Sequence, residues 1–300
     1  MDDHEFLAER FEAHRGHLRA VAYRMLGSLS EAEDAVQETW LKLSRSDTTE
    51  VANLGGWLTT VVGRVCLDML RSRASRREDP IDLYEYEHVP DPVVSRADKA
   101  DPEQQALLTD SVGLALLVVL ETLPPAERLA FVLHDMFAVP FEDIAPIVER
   151  TPAATRQLAS RARRRVQGSP QPEADLGRQR QVVDAFLAAS RGGDFEALLA
   201  LLDPDVVLRA DAGAEATGAT FASRLVRGAR AVVEQALMFS RFSMYSRPAL
   251  VNGAFGLVTG LDGQTFSVMD FTIRDGKIVE INILADRDRL SRIELPALDD

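Results

Sequence analysis

The hydrophobic period of this chain changes at residues 168–177, and that change limits its fold more than any other feature. Before GSPQPEADLG the apolar residues recur at helical spacing. In FLAERFEAHRGHLRAVAYRML, for instance, Leu7, Phe11, Leu18, Val21, Ala22 and Met25 fall on that repeat. After it come two short helical patterns, the second capped by Asp194, and then the alternating runs DVVLRAD, PALVNGAFGLVTG and TFSVMDFTIRDGKIVEINIL. Asn252-Gly253 and Asp275-Gly276 supply the dipeptides that tight hairpins require. Helices first and strands later predict helical domains followed by an α+β domain with an antiparallel sheet. A length of 300 residues exceeds one ordinary core and agrees with several domains.

The helical part is punctuated by caps and prolines. Gly27 stops the first helix, and Ser30 with Glu33 forms a capping-box pattern ahead of EAEDAVQETWLKL. A polar loop, SRSDTTEVANLGG, leads to a third helix that begins at Trp57 and turns basic at its end. Residues 78–100 hold three prolines and many acids without a sustained period, and read as a linker. Asp101-Pro102-Glu103-Gln104 combines an N-cap, a first-turn proline and a capping-box glutamine, and opens a helix that runs to Pro124-Pro125. AERLAFVLHDMF is the next helix, stopped before Pro140, and FEDIAPIVER follows. Thr151-Pro152 then caps TPAATRQLASRARRRV, completing a helix-turn-helix pattern. The expected domains are 1–77 and 101–167, both all-α, and 178–293, α+β, with linkers at 78–100 and 168–177.

The chain has a formal net charge of −13, yet Arg156, Arg161, Arg163, Arg164 and Arg165 crowd that last helix without an acid. This describes a local basic face on an acidic body. The second helix of a helix-turn-helix leads into the major groove with its N-terminal residues, here Thr151, Ala153, Ala154, Thr155 and Arg156. Arg156 suits bidentate reading of guanine, and Thr155 a base or phosphate. Ser160, Arg161 and Arg164 lie further along, where successive residues fan around the helix and some arginines grip phosphate only. A solvated helix end whose cations complement the dipole accounts for two or three of the arginines. One such module binds DNA weakly, at roughly 10⁻⁴–10⁻⁶ M, so a second contact is expected. Arg64, Arg71, Arg73, Arg76 and Arg77, with only Asp68 among them, supply a candidate, a solvated face being the plain alternative.

Other classes are excluded. No run of about 18 or more apolar residues marks a transmembrane helix, and MDDHEFLAERFEAHR lacks the apolar core of a signal peptide. A single cysteine, Cys66, excludes an internal disulfide and suits a reducing cytoplasm. CxxC, HExxH and P-loop patterns are absent, so no metal or cofactor is expected.

AYRMLGSLSEAEDAVQETWLKL resembles the second conserved-region domain of bacterial RNA polymerase sigma factors of the extracytoplasmic-function group. GWLTTVVGRVCLDMLRSRASRRE resembles the part of that domain that recognises and melts the −10 element. LPPAERLAFVLHDMFAVPFEDIAPIVERTPAATRQLASRARRRV resembles the fourth-region domain, which reads the −35 element. The resemblance implies that Asp34, Glu38 and Leu41, which share one helix face, dock on the clamp helices of core RNA polymerase. By themselves these residues read as a solvated acidic face. It also implies that loop 44–56, ending at Asn53-Leu54-Gly55-Gly56, captures a flipped −10 base, which needs a shaped pocket with cationic walls. Trp57 fits a core position better than a stacking one.

The tail resembles the SnoaL-like fold, an α+β cone with a curved sheet that some of these sigma factors carry in place of a separate anti-sigma protein. Family members commonly show WLPEP in the interdomain linker, DGGGK in the tail and NPDK near the end. Here those positions read His88-Val89-Pro90-Asp91-Pro92, Asp211-Ala212-Gly213-Ala214-Glu215 and Asp286-Arg287-Asp288-Arg289, with Glu215 reversing the charge of the family's lysine. The resemblance makes Asp211, Glu215, Asp286, Asp288 and Arg289 the candidate regulatory residues. All five histidines (His4, His14, His17, His88 and His134) precede residue 172, so the tail has no His–Asp dyad. Asp270, Asp205, Asp211 and Tyr245 remain as polar candidates for a carboxylate mechanism, structural roles being the plainer reading. The tail is expected to be noncatalytic, its pocket vestigial or sensing a small ligand.

Promoter elements about 25 base pairs apart lie about 85 Å apart at ~3.4 Å per pair. A linker of ~25 residues reaches at most about 80–90 Å and averages nearer 25–30 Å when flexible. Two weak modules therefore bind together only when polymerase holds the linker extended and raises their effective concentration. The acidic linker suits a basic channel of that enzyme. The expected protein is a cytoplasmic promoter-specificity subunit, not an enzyme, whose partners are core RNA polymerase and promoter DNA rather than a membrane. A one-component helix-turn-helix regulator with a ligand-sensing tail is the alternative, and it has no use for residues 30–77. A cone-fold enzyme with a DNA-targeting arm is the third reading.

Overall fold

The computed structural model describes residues 3–46, 51, 53–76, 88–96, 113–168, 173–213, 223–261, 264–293 and 295. Two compact units are present, one built from Met1–Ile81 and Val119–Ser169, the other from Asp82–Val118 and Pro170–Asp300.

In the first unit, α1 (Asp3–Leu26) packs on α2 (Leu29–Ser44) and α3 (Leu54–Arg76). Gly27 takes a left-handed φ of 71°, which stops α1. The cap of α2 is Ser28 rather than Ser30: the chain leaves Gly27 extended, and the Ser28 hydroxyl accepts the Glu31 amide hydrogen at 3.5 Å. The inner stripe of α2 is Ala32, Ala35, Val36, Thr39 and Leu43, all buried at helical spacing.

The second helical block starts with α4 (Leu114–Glu121); the expected cap at Asp101–Gln104 lies outside the described residues. α5 (Pro125–Phe131) follows, with proline at its first turn, and continues into a π-helical turn, Val132–Met136. After α6 (Phe141–Ile144) comes α7 (Pro152–Gln167), capped as expected by Thr151, whose hydroxyl accepts from the Ala154 amide at 3.2 Å. α7 buries Thr155, Ala159, Ala162 and Val166 and packs mainly on α5.

The second unit is an α+β domain with a seven-stranded sheet. Its strands are β1 (Val94–Arg96), β2 (Leu202–Asp211), β3 (Arg224–Arg227), β4 (Ser246–Val251), β5 (Ala254–Leu261), β6 (Gln264–Arg274) and β7 (Lys277–Leu284). Their order is β1-β4-β5-β6-β7-β2-β3. The sheet is mixed: every pair is antiparallel except β2–β7. That parallel pair arises because β2 comes before the helical crossover and β7 after the meander. The expected turns are present, with Asn252 and Gly253 at φ 48° and 81° and Asp275 and Gly276 at 53° and 73°. Helices α8 (Leu176–Gly192), α9 (Phe195–Leu201) and α10 (Ala229–Met238) share one apolar core with the sheet, including Phe186, Leu198, Val232, Phe271 and Ile281. A 3₁₀ segment, Ser240–Tyr245, leads into β4, and a short α11 (Arg287–Leu290) follows β7.

The linker reading of 78–100 needs correction over three of its later residues. Residues 94–96 are a strand on the edge of the tail sheet, with Val94 opposite Val251 and Arg96 opposite Ala249. Asn252 fixes the entry: its side-chain oxygen accepts from the Val93 amide at 2.9 Å, and its own amide donates to the Val93 carbonyl at 2.8 Å. No local period marks a three-residue edge strand, because its pairing is supplied by β4 from more than 150 residues away.

Candidate functional site

Helix α7 sorts its side chains by face. Opposite the buried stripe lie Ala153, Gln157, Ser160 and Arg164, at helical spacing. Gln157 is exposed and was not singled out from the sequence; the i, i+3, i+7 register with Ser160 and Arg164 is the signal that identifies it. Thr155 leaves the expected DNA set. It is fully buried, and its hydroxyl donates to the Thr151 carbonyl at 3.0 Å, because position 155 falls on the stripe that meets α5.

The arginines have no acid on their own helix but meet acids from other elements. Arg161 Nε lies 2.8 Å from Glu127 Oε1, and Arg165 lies 3.4 Å from the other oxygen of the same carboxylate. Two half-exposed arginines thus neutralise one buried glutamate. Arg163 holds Asp135 Oδ1 through Nε at 2.8 Å and through Nη2 at 2.7 Å. Arg156 is exposed, 4.0 Å from Glu142, with its guanidinium 5.1 Å from the Phe141 ring centroid. Arg164 is exposed and makes no side-chain pair among the described residues. Arg156 and Arg164 are therefore presented outward, whereas Arg161 is tied to the domain's own structure.

On α3, Asn53 is a helix cap: its side-chain oxygen accepts the Gly56 amide hydrogen at 3.0 Å. Arg64 is exposed, Arg71 lies 3.8 Å from Glu149, and Arg73 is paired with Glu31. Arg76 closes α3, its side chain outside the described set, and Arg77 lies beyond the described residues. Trp57 is half-buried and lines an open groove of about 590 Å³ together with Lys42, Arg45, Arg64, Asp143 and Ile147. An aromatic face beside three cations is the chemistry that holds an unstacked base and its phosphates.

The outward stripe of α2 brings Asp34, Glu38 and Leu41 together. Both acids are exposed, Glu38 pairs with Lys42 at 3.1 Å, and Leu41 leaves 43% of its surface in water. An exposed leucine one turn beyond two acids suits a partner with cationic and apolar groups.

In the tail, the three motif positions converge. The Arg289 guanidinium holds Asp91 Oδ1 through Nε at 2.7 Å and Asp211 Oδ2 through Nη1 at 2.7 Å, and it also donates to the Val89 carbonyl. Asp211 Oδ2 accepts the Val89 amide hydrogen at 3.0 Å. Burial opposes the charge on Arg289, but Asp91 and Asp211, helped by Asp286, outweigh it and raise its pKa. Asp286 caps α11 by accepting from the amides of Asp288 and Arg289, which aims Arg289 at the linker. Gly213 is left-handed at φ 78°, and a Cβ there would meet Asp286 Oδ2 at 2.4 Å, so the close approach of these two segments needs glycine. Asp288 is exposed, and Glu215 lies outside the described residues.

Asp270 faces away from the helix-covered core, because its neighbours Phe271 and Ile273 point into that core. Burial pushes its carboxyl up to about 7, against a hydrogen bond from Asn282 that pulls it down. Asp205 is exposed at the start of β2 and Tyr245 is half-buried at the end of the 3₁₀ segment, so the candidate acids do not form one site. Among the described residues no cluster of three or more His, Cys, Asp or Glu could hold a metal, and no helix is long and apolar enough to cross a membrane.

Comparison with known proteins places two family models on the chain: Sigma-70 region 2 over residues 10–76, and Sigma-70, region 4 over residues 113–166. The ECF RNA polymerase sigma factor SigJ of Mycobacterium tuberculosis is 40% identical over 94% of this chain and 92% of its own length. A probable ECF RNA polymerase sigma factor, SigI of the same organism, is 35% identical over 95% and 94%. The crystal structure of M. tuberculosis SigJ superposes with a TM-score of 0.74 at 37% identity, covering 96% of this chain and all of that one. These matches span both helical blocks and the tail, and so disfavour a one-component regulator that uses only the helix-turn-helix.

Proposed function

We propose the following division of labour for a chain that belongs to the extracytoplasmic-function RNA polymerase sigma factors and so directs polymerase to promoters. Asp34, Glu38 and Leu41 dock on the clamp of the core enzyme. The face of α3 with Arg64 and Arg71, together with the Trp57 groove, handles the −10 element. Arg156, Gln157, Ser160 and Arg164 meet the −35 element. The observation that carries this reading is α7: its buried stripe faces its own domain, and the opposite stripe presents an amide, a hydroxyl and a cation without a side-chain pair among the described residues.

The tail, residues 178–293, is a regulatory clamp on the interdomain linker. Arg289, Asp211 and β4 hold residues 89–96, which limits how far that linker can extend. Arg289, at the last position of the family's NPDK motif, makes that grip on Asp91 and Asp211. We read the tail as noncatalytic, since Asp270 is walled off and lacks a histidine partner, and the protein as working in the cytoplasm beside polymerase.

The test is transcription from a defined promoter by purified core polymerase with and without this chain. Initiation should depend on it. Asp34→Lys with Glu38→Lys should weaken core binding at least tenfold while leaving the fold intact. If core binding is untouched, α2 is not the docking face.

A further inference from the structure

The 3₁₀ segment Ser240–Tyr245 and the residues around it read MFSRFSMYSR over 238–247, with two arginines and no acid. Arg191, in the last turn of α8, reaches the same segment. It donates from Nε to the Ser243 carbonyl at 3.1 Å and from Nη2 to the Ser246 carbonyl at 3.1 Å. Arg247 donates from Nη1 to the Met244 carbonyl at 3.0 Å and to that same Ser246 carbonyl at 3.3 Å. Two guanidinium groups thus share one oxygen. Arg241 is exposed on the segment, its guanidinium 4.8 Å from the Phe242 ring centroid. Elsewhere in the domain, Arg178, Arg180, Arg209 and Arg289 each meet a carboxylate. Among the described residues no carboxylate pairs with Arg191, Arg241 or Arg247.

A cation in the last turn of a helix offsets the dipole, which accounts for the place of Arg191. It does not account for Arg247 on β4 or for Arg241. Like charges held at one oxygen repel, and an anion placed between them relieves that repulsion. A guanidinium carries five N–H donors. Arg191 uses two nitrogens on the backbone and Arg247 uses one, so both keep donors for a ligand. Anchoring to carbonyls fixes the two forks in advance, which reduces the side-chain freedom lost on binding. Met238 and Met244 flank the cluster and leave 60% and 59% of their surface in water. Charge beside apolar surface matches a nucleic-acid backbone, where phosphates alternate with sugars.

We propose that Arg191, Arg241 and Arg247 form a further DNA contact, in which the tail grips the phosphate backbone of promoter DNA upstream of the −35 element. The tether sets the reach. From Gln167, the end of α7, to Leu176, the start of α8, the chain spans at most about 30 Å. α8 has 17 residues and is about 25 Å long, with Arg191 at its far end. The cluster therefore lies within about 55 Å of the end of α7, or roughly 16 base pairs at ~3.4 Å each. Such a grip reads no sequence. It adds affinity to a −35 module that is weak by itself, because the tether raises the local concentration of the second contact.

The inference rests on the sigma-factor reading, and one experiment distinguishes the two. Core polymerase with the full chain is bound to two promoter fragments across a fourfold salt range. One fragment ends at the upstream edge of the −35 element, and the other runs about 20 base pairs beyond it. On the long fragment, Arg241→Ala with Arg247→Ala should reduce the salt slope by about two ions. Each phosphate contact makes affinity fall by about 3.5-fold over that range, so the two proteins should differ by about tenfold in their salt response. On the short fragment they should bind alike. Equal affinities and slopes on the long fragment overturn the proposal. Equal losses on both fragments also overturn it, and place an acidic face of polymerase rather than DNA on these arginines. Absence of core-dependent promoter binding by the unmodified chain overturns the sigma-factor reading instead. Should the double variant fold poorly, Arg241→Glu decides the matter, since Arg241 is exposed and makes no side-chain hydrogen bond among the described residues. It should weaken binding to the long fragment only, and unchanged binding there overturns the proposal.

Discussion

Arg289 holds Asp91 at 2.7 Å across 198 residues of chain, and the same guanidinium holds Asp211. The linker between the two promoter-binding blocks is thereby fastened to the domain that follows them. Both carboxylates are nearly buried, so the arginine is their charge partner rather than a surface ornament.

Removing that partner should be severe. Arg289→Ala removes the cation that two buried carboxylates and the Val89 carbonyl share, and is expected to cost about 3–5 kcal/mol of tail stability. Hydrogen exchange at residues 88–96 should rise to the level of free peptide. Retained protection there would show that β1 pairing alone holds the linker.

Asp270 should make the protein's stability depend on pH. Its folded pKa is about 7, against ~3.9 in an unfolded chain. Between those values the folded state keeps a proton that the unfolded state releases, so stability falls as pH rises and levels off above about 7. Asp270→Asn should remove that slope and stabilise the protein at pH 8 by about 4 kcal/mol at most. Melting curves at pH 5 and pH 8 are the measurement, and parallel slopes for the two proteins would contradict it.

Under the proposed function, Arg156 and Arg164 of α7 should divide base reading from phosphate grip. Arg156→Ala should cost about 1–3 kcal/mol at one position of the −35 element and relax specificity there. Arg164→Ala should weaken binding to all sequences alike and reduce the salt slope by about one ion. Competition assays with the assembled polymerase, across a salt series, distinguish the two patterns.

Thr151 and Thr155 should behave differently from contact residues. Thr151→Ala loses the cap of α7 and should destabilise region 4 by about 1 kcal/mol. Thr155→Val keeps the buried volume and should leave promoter selection unchanged. A shift in −35 preference for Thr155→Val would put that side chain back at the interface.

Much of this was legible from local chemistry. Thr151-Pro152, Asp194, Asn252-Gly253 and Asp275-Gly276 act over two to four residues, and each performs in the fold the role its type implies. Ser28 replaced Ser30 as a cap because both serines fit the pattern and only the backbone after Gly27 chooses between them. Thr155 was misplaced for a related reason: a helix start reveals its cap, but which stripe meets the core depends on where α5 lies.

The sequence by itself determined the order of helical and α+β parts, the helix-turn-helix, the outward acidic stripe on α2 and the family, because periodicity and motif spacing are properties of neighbouring residues. Tertiary structure alone decided which arginines of α7 are occupied by Glu127 and Asp135, that residues 94–96 become a sheet edge, and that Asp91, Asp211 and Arg289 meet. Those outcomes join groups tens to hundreds of positions apart. Their energy comes from burial and charge pairing that exist only once the whole chain has closed on itself.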